Sequence, residues 1–321
     1  MRPYKVPSHK LNAAIIGSGR GWHAIELQRA LTERDVQCDL SPITGLQAGV
    51  AMQPALRSRS TATQPSIEPD DYNMALVRII PRGSLEQTIF RMDALHLLEE
   101  RGVRVFNSAK AIERTVDKYY TSGLLAQAGL PTPRTIVCEK SDHALEAFAA
   151  LGGDVVVKPL FGSMGLGLIR IESEDVAYRV FKALELEQAV YYVQEYITHL
   201  ARDGATGRDI RAFVLGDRVL ASMERLSDSW RTNFARGAQC RSLRLTAEQE
   251  DLCLRAARVV GTEYAGVDLL PADNGELYVV EVNGIPGWKG LQATGDLDIA
   301  AEIADYLIAR AAPRKAYRKK K

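Results

Sequence analysis

The chain has 321 residues, 41 Lys and Arg against 40 Asp and Glu, and a net charge of +1; 46% of its residues are hydrophobic and 25% charged. These values are typical of a soluble globular protein of about two domains and exclude a largely disordered chain. The lack of a basic surplus argues against nucleic acid as the main partner.

The sequence shows no clear pattern for membrane insertion, export or disulfide formation. No apolar run approaches the roughly 20 residues that span a bilayer, and the first residues lack the apolar segment of a signal peptide. The cysteines are scattered without a CxxC pair, which indicates reduced thiols: Cys38, Cys138, Cys240 and Cys253. We therefore expect a cytoplasmic protein with no membrane partner.

The first part of the chain alternates strand and helix. The apolar patterns predict strands over residues 13–16, 36–40, 74–80 and 103–106, and helices after residue 21 and over residues 84–100. Residues 50–70 combine prolines with polar residues without periodicity, so they are predicted to form a loop. This βαβ-like order favours an open parallel sheet.

The second part begins with a predicted helix over residues 115–128, which Gly129, Pro131 and Pro133 end. A capping box of Thr246 and Gln249 opens a later helix. A third helix is predicted over residues 175–186. Strands are predicted over residues 154–158, 168–171, 189–197, 209–215, 218–223, 265–270 and 276–282.

A glycine-rich turn follows the first strand, Gly17-Ser18-Gly19-Arg20-Gly21. Trp22 stands where a dinucleotide fingerprint requires its third glycine, so a tight strand-to-helix turn is favoured over a dinucleotide site. The helix that follows could still offer its N-terminus to a substrate phosphate or carboxylate.

A second glycine-rich segment follows a lysine. Lys158 ends the apolar run Val155-Val156-Val157, and Gly162, Gly165 and Gly167 come shortly after it. Such glycines let backbone N–H groups approach a phosphate, and such a lysine can face a cavity that holds anions. A mobile hairpin turn beside a snorkelling lysine explains the same residues equally well.

Two carboxylates and an amide lie in the last predicted hairpin. Counting from its turn places Asp268 opposite residue 279, with Glu281 as the diagonal neighbour on the same face. Asn283 shares the face of Glu281 by the two-residue period of a strand. Because the flanking residues are apolar, an oxygen-ligated Mg²⁺ site is favoured over exposed, salt-bridged acids.

Arginines cluster after the strand at 218–223. Arg225, Arg231 and Arg236, with Asn233, suit recognition of a carboxylate or a phosphate, although a solvated basic loop fits the pattern as well. The basic residues at 314–321 are interpreted as a solvated tail rather than an anchor.

Together these motifs resemble the RimK-type glutamate ligases of the ATP-grasp superfamily over residues 115–306. The N-terminal part, with Trp22 and residues 107–114, is most similar to the branch that adds glutamate to tetrahydromethanopterin and related C1 coenzymes. The matching stretches are Asp117-Lys118, Gly129-Leu130-Pro131-x-Pro133, Val157-Lys158-Pro159-x-x-Gly162-x-x-Gly165-x-Gly167, Val193-Gln194-Glu195-Tyr196-Ile197, Asp209-Ile210-Arg211, Arg231-Thr232-Asn233, Arg236-Gly237, Ala265-Gly266-Val267-Asp268 and Glu281-Val282-Asn283-Gly284-x-Pro286-Gly287.

The resemblance implies an α/β fold with an open parallel-sheet, pre-ATP-grasp domain followed by a two-lobed ATP-grasp domain. The implied boundaries are 1–107 for the first domain, 108–190 for a small lobe with a glycine-rich lid, 191–313 for a large lobe with the Mg²⁺ site, and 314–321 for the tail.

Site residues are implied in the same way. ATP would be bound by Lys118, Lys158, Gly162, Ser163, Gly165, Gly167, Glu195, Tyr196, Asp209, Arg231, Thr232 and Asn233. Within this set, Lys158 and Arg231 would act on the transferred phosphate. The metal ligands would be Asp268, Glu281 and Asn283, holding Mg²⁺ or Mn²⁺.

The implied activity is an ADP-forming carboxylate–amine ligase that works through an acylphosphate. It would add L-glutamate to a small-molecule acceptor, a C1-carrier coenzyme such as a tetrahydromethanopterin or methylofuran precursor. Glutamylation of a protein or peptide C-terminus, and a non-catalytic ATP-binding regulatory protein, are the alternatives. Asn283-Gly284-Ile285-Pro286 departs from the more usual Asn-x-Ser-Pro, which bears on the acceptor. A homo-oligomer is left open.

Overall fold

The computed structural model describes residues 11–52, 55–59, 67–162, 166–200, 202–232 and 237–311. The chain divides into two compact units. We call Met1–Glu113, Thr262–Tyr264 and Ile285–Lys321 the N-terminal unit, and Arg114–Gly261 with Ala265–Gly284 the central unit. The predicted basic tail at 314–321 lies outside the described residues.

The N-terminal unit is built on a parallel sheet. Its elements are β1 (Asn12–Gly17), α1 (Trp22–Thr32), β2 (Gln37–Pro42), β3 (Leu46–Ala48), β4 (Leu56–Ser58), β5 (Met74–Val77), α2 (Leu85–Glu100), β6 (Arg104–Phe106) and α3 (Ala109–Val116). The strand order is β2-β1-β5-β6, with every pair parallel. The predicted open parallel sheet is therefore confirmed, as is the tight turn before α1, where Gly19 has a φ of 111°.

Three predicted elements of this part need correction. The strand predicted to reach residue 80 ends at Val77, because its neighbour β1 ends at Gly17 and offers no further partner. Part of the predicted loop at 50–70 is β4, which pairs with β3. The helix predicted from residue 115 is two helices, because the Asp117 side chain accepts a hydrogen bond from the Tyr120 N–H and caps a new start.

The central unit contains two sheets. Its elements are α4 (Lys118–Gln127), β7 (Thr135–Cys138), α5 (Ser141–Ala150), β8 (Val155–Lys158), β9 (Ile169–Ile171), α6 (Glu174–Leu186), β10 (Tyr191–Glu195), β11 (Gly207–Leu215), β12 (Arg218–Ser227), β13 (Gln239–Ser242), α7 (Ala247–Val260), β14 (Tyr264–Pro271) and β15 (Leu277–Asn283). The four-stranded sheet has the order β7-β10-β8-β9, and the five-stranded sheet the order β13-β12-β11-β14-β15. The capping box of Thr246 and Gln249 is confirmed at the start of α7.

After β15 the chain adds α8 (Lys289–Gln292) and α9 (Ile299–Arg310) to the N-terminal unit. Arg29 of α1 and Arg34, just after α1, form salt bridges with Asp298 and Asp305 there. No helix in the described ranges has both the length and the hydropathy needed to cross a membrane.

Each sheet of the central unit has its own core. Phe181 of α6 is fully buried against the four-stranded sheet and meets Tyr191 of β10 edge-on, with ring centroids 5.6 Å apart. On the five-stranded sheet, α7 packs Leu252, Ala256 and Val260 against buried strand residues. Each sheet therefore has its own hydrophobic packing behind the polar residues at its edge.

Replacing Phe181 with Ala should destabilise the protein by about 3–5 kcal/mol, because the vacated ring volume cannot collapse fully. Urea unfolding followed by circular dichroism measures this loss. The control is Tyr178→Ala on the same helix, where the side chain is 53% exposed, so the change should stay within about 0.5 kcal/mol. Equal losses in the two variants would contradict this account of the core.

Candidate active site

The central unit contains a cavity between α4 and the two sheets. Most of the predicted site residues that the structure describes line it: Lys118, Lys158, Gly162, Glu195, Tyr196, Asp209, Arg231, Thr232, Asp268 and Glu281. Gly167 and Asn283 lie in the same unit but are not among the lining residues. Ser163, Gly165, Asn233 and Arg236 lie outside the described residues.

Lys158 projects from the end of β8, opposite Tyr192 of β10. Its Nζ donates a hydrogen bond to Gln194 Oε1 at 2.6 Å, and Gln194 Nε2 in turn donates to Thr135 Oγ1 and to the Tyr192 hydroxyl. Burial and, to a smaller extent, the charge of Lys118 lower the pKa of Lys158 to about 8, while Glu281 and Asp268 oppose the shift. The lysine is therefore a cavity group, held by a polar network of strand residues.

Lys118 is the first residue of α4 and reaches the glycine-rich segment. Its Nζ donates to the Gly162 carbonyl at 2.7 Å. Burial lowers the pKa of Lys118, whereas Glu281 and Asp117 favour its charged form. Two ammonium groups thus share one cavity with the carboxylate of Glu281.

The end of β10 forms another wall of the cavity. Glu195 accepts hydrogen bonds from the Arg134 N–H at 2.7 Å and from Arg134 Nε at 2.5 Å. The Tyr196 ring lies 3.6 Å below the guanidinium carbon of Arg170 and is stacked on His199, with ring centroids 5.9 Å apart. A flat aromatic surface with a cation behind it suits a planar heterocycle.

Sequence reasoning missed two of these wall residues. His199 and Trp230 both line the cavity, and Trp230 meets Tyr196 edge-on at 6.1 Å. Trp230 directly precedes the predicted Arg231, so the motif pointed to its neighbourhood. His199 lies in the segment between Tyr196 and Asp209, where no pattern marked it.

A network of ion pairs joins three strands of the five-stranded sheet. Arg225 of β12 pairs in register with Asp209 of β11 and donates to both of its carboxylate oxygens, at 2.7 and 2.5 Å. The same guanidinium lies 3.2 Å from Asp268 of β14, which Arg211 of β11 also binds. Thr232 Oγ1 donates to Asp209 at 2.5 Å. Asp209, a predicted ATP-binding residue, and Asp268, a predicted metal ligand, therefore share one arginine.

The network fixes the charges of its members. Burial opposes ionisation of Asp268, but Arg211 and Arg225 hold the pKa of its carboxyl below the usual range. Burial likewise disfavours the charged form of Arg225, and Asp209 and Asp268 outweigh it and raise the pKa of Arg225. These groups stay ionised at neutral pH.

The register of the last hairpin differs from the sequence prediction. Asp268 lies directly opposite Glu281 rather than opposite residue 279, because a β-bulge shifts the pairing between Asp268 and Leu269. Directly opposed side chains share a face and have Cβ atoms about 4.5–5.5 Å apart, so the two carboxylates are closer than the diagonal placement implied. Asn283 pairs with Gly266 two residues further along β15.

The donor set of this hairpin fits a hard cation only in part. Among the described residues Glu281 has no hydrogen bond or salt bridge of its own, so its oxygens are available to a cation, whereas Asp268 is already bound by two guanidinium groups. Those residues contain no cluster of three or more His, Cys, Asp or Glu side chains suited to a metal. Glu281 is therefore the best-placed oxygen donor for Mg²⁺.

Arg231 closes the cavity near β9. Its Nη2 donates to the Leu168 carbonyl at 2.5 Å, and its guanidinium carbon lies 4.9 Å from the Trp230 ring centroid. Its Nε is buried without a hydrogen-bond partner. An anion that enters the cavity would satisfy this donor.

Arg225→Met should destabilise the protein by about 3–5 kcal/mol, because it leaves the Asp209 and Asp268 carboxylates buried beside one fewer cation. Denaturant unfolding measures the change. The matched control is Arg241→Met on the neighbouring β13, whose pair with Asp203 is half exposed, so the loss should not exceed about 1 kcal/mol. If both variants lose the same amount, the buried network is not what holds these strands.

Comparison with known proteins agrees with this geometry. The family model described as the RimK-like ATP-grasp domain matches residues 115–307. A tetrahydromethanopterin:alpha-L-glutamate ligase from Methanococcus maripaludis is 34% identical over 303 residues, 92% of this chain and 97% of the relative. A probable alpha-L-glutamate ligase from Pseudomonas paraeruginosa is 36% identical over 246 residues, 76% of this chain and 80% of the relative.

Solved structures show the same fold. A RimK domain ATP-grasp protein from Sphaerobacter thermophilus superimposes with a TM-score of 0.71 at 21% identity, covering 92% of this chain and 98% of that one. The ATP-grasp ligase PsnB, in a complex with a phosphomimetic precursor variant, Mg and ADP, gives a TM-score of 0.69 at 21% identity, with 94% and 99% covered. The chain belongs to the RimK-like ATP-grasp family of ATP-dependent carbon–nitrogen ligases.

Proposed function

We propose that this ligase adds L-glutamate to tetrahydromethanopterin or a closely related C1-carrier coenzyme, with ATP and Mg²⁺ bound in the cavity of the central unit. The carrying observation is the convergence of Lys118, Lys158 and Arg231 on one cavity that also holds the Glu281 carboxylate. Support for the substrates comes from the Methanococcus relative, which aligns over nearly its whole length.

In the proposed site, different side chains bind the adenine, the ribose and the phosphates of ATP. The flat wall of Tyr196 and His199 suits the adenine ring, and the edge at Glu195 suits its polar atoms. Asp209, oriented by Arg225 and Thr232, would accept from the ribose hydroxyls. The two lysines then lie at the phosphates, where an anion offsets the cost of their burial. We include Gly162, Ser163, Gly165 and Gly167, with Asn233, in this proposed ATP site.

Mg²⁺ would be held by Glu281, with Asp268 and Asn283 beside it, and would neutralise charge on the β- and γ-phosphates; Mn²⁺ would serve in the same place. Asp268 would have to share its oxygens with Arg211 and Arg225. Lys118, Lys158 and Arg231 would neutralise the remaining negative charge of the phosphates.

The chemistry follows from these charges. A carboxylate oxygen of one substrate attacks the γ-phosphorus of ATP, giving an acylphosphate and ADP. The amine of the second substrate then attacks the acyl carbon, phosphate leaves, and an amide remains. Lys158 and Arg231 reduce the repulsion between the anionic carboxylate and the phosphate and hold both in line. We further propose that the domain predicted over residues 1–107 chooses the acceptor.

Mass spectrometry of products tests the proposed substrates. Pure protein is incubated with ATP, Mg²⁺, L-glutamate and one acceptor at a time: tetrahydromethanopterin, a methylofuran precursor, a deazaflavin precursor or a glutamate-ended peptide. We expect one glutamyl mass increment on tetrahydromethanopterin and release of ADP rather than AMP. An adduct on the peptide alone would favour the protein-tail alternative, and ATP binding without ADP the regulatory one.

Glu281→Gln should bind ATP but form ADP about 10²–10³-fold more slowly, because it removes the charge that faces the metal and both lysines. The control is Glu276→Gln at the start of the same hairpin, where the carboxylate is exposed and bonds only locally to Asn274 and Tyr278. ADP release at the wild-type rate by the Glu281 variant would overturn the metal assignment.

ATP affinity should fall as pH rises through about 8, the pKa of Lys158. The phosphates need the ammonium form, so one lost proton weakens binding by up to about tenfold for each pH unit above the pKa. Calorimetric titrations between about pH 7 and pH 10, at constant free Mg²⁺, measure this. Lys158→Arg keeps its charge over this range and should flatten the profile; the same slope in both proteins would show that another group titrates.

A further inference from the structure

Arg78 lies at the carboxyl edge of the parallel sheet in the N-terminal unit. It directly follows β5, which ends at Val77, and the neighbouring β1 ends at Gly17 before the turn into α1. From β1 the chain continues to β2 on one side, while β5 lies on the other, so the strand order reverses here. In open α/β sheets, ligands bind outside the carboxyl ends of the strands at such a reversal.

The Arg78 guanidinium contacts a carbonyl, an aromatic ring and the Tyr264 phenol, none of them acidic. Its Nη2 donates to the Pro286 carbonyl at 2.7 Å, and its carbon lies 4.7 Å from the Trp288 ring centroid. Among the described residues, no group is placed to accept a hydrogen bond of good geometry from the buried Nε and Nη1. Buried N–H donors of a charged group are costly when left unpaired, which points to a ligand that completes them.

The charges around Arg78 are all positive or neutral. Burial lowers the pKa of Arg78, and the group that favours its charged form is the Tyr264 phenol rather than a carboxylate. His23 accepts a hydrogen bond from the Trp288 N–H, and burial, Arg78 and Lys289 together lower the pKa of His23 to about 4. Within the described part of the N-terminal unit, Arg78 is therefore a cation without an acidic counter-ion.

The missing partner has a defined chemistry. Nε–H and Nη1–H lie on different sides of the guanidinium, so each offers a separate charge-assisted hydrogen bond to an anionic oxygen such as that of a carboxylate, and backbone N–H groups at the start of α1 add a positive potential beside them. Trp22, whose ring centroid lies 6.2 Å from that of the buried Trp288, is partly exposed and can supply apolar surface for the carbon skeleton.

We propose that Arg78 forms a carboxylate-binding subsite for one of the two organic substrates of the ligase. The inference rests on the proposed function for the identity of those substrates. The carboxylate belongs either to L-glutamate or to the acceptor, and both sources present the same two oxygens to Arg78.

Calorimetric titration of the full chain tests the subsite. Wild type, Arg78→Gln and the control Arg34→Gln are titrated with L-glutamate, its monoamides L-glutamine and L-isoglutamine, tetrahydromethanopterin, and glutarate. Arg34 belongs to the same unit and pairs with the exposed Asp305, so its variant should bind like wild type. We expect Arg78→Gln to weaken either L-glutamate or tetrahydromethanopterin by about 10- to 100-fold.

The monoamides separate recognition from a purely structural role. If Arg78 binds a carboxylate of L-glutamate, the monoamide that lacks this carboxylate binds wild type weakly and loses nothing further in Arg78→Gln. If the acceptor supplies the carboxylate, only tetrahydromethanopterin loses affinity. A structural role weakens L-glutamate and both monoamides by one common factor, and that result, or unchanged affinities throughout, overturns the proposal.

Glutarate keeps the test independent of the proposed substrates. If wild type binds neither L-glutamate nor tetrahydromethanopterin, the proposed function has failed, and the plain dicarboxylate decides the subsite alone. Binding by wild type that Arg78→Gln abolishes supports it. Equal binding, or none by either protein, overturns it.

Discussion

Arg225 holds two carboxylates on different strands, and the geometry of the central unit's cavity depends on this contact. Asp209 precedes it by one hairpin, and Asp268 comes from β14. Without a shared cation, these carboxylates would repel each other inside the sheet. Such a buried network adds little net stability compared with apolar packing, but it allows few alternative arrangements. It therefore fixes where Asp209 and Asp268 lie relative to each other in the wall of the cavity.

The cavity next to this network contains two lysines whose positive charges are only partly compensated. Burial disfavours the charged forms of Lys118 and Lys158, Lys118 adds to this at Lys158, and the Glu281 carboxylate compensates only in part. A site of this kind is poorly solvated when empty and gains most when a polyanion enters with its cation. Gln194 and the Gly162 carbonyl hold the two lysines in these positions by hydrogen bonds from their ammonium groups.

Features that depend on a few adjacent residues could be predicted from the sequence. The Thr246 capping box and the strand that ends in Lys158 are confirmed because each depends on a few adjacent residues. The bulge that brings Glu281 opposite Asp268 was missed, because one extra residue in a strand leaves the apolar pattern unchanged. The pairing of Arg211 with Asp268 was missed for another reason: it depends on which strands become neighbours, 57 residues apart in the chain.

The points at which the chain passes from one unit to the other could not be predicted from the sequence either. The side-chain oxygen of Asn107 accepts hydrogen bonds from the backbone N–H groups of Glu263 and Tyr264, which joins residues 262–264 to the N-terminal unit. No change of composition near these residues marks the crossing. The same holds for α8 and α9, whose apolar faces resemble those of any amphipathic helix. A single sequence records which face of a helix is buried, but not the unit against which it packs.

The two buried arginines Arg225 and Arg78 therefore differ in whether surrounding carboxylates neutralise their charge. Arg225 is surrounded by the carboxylates it needs, so its charge is satisfied within the sheet. Arg78 has a carbonyl, an aromatic ring and a phenol, none of which carries the negative charge that a guanidinium requires. Folding alone gives no reason to retain a cation there, since an apolar side chain would pack at lower cost. What Arg78 lacks among the described residues is what a carboxylate substrate of a ligase would bring.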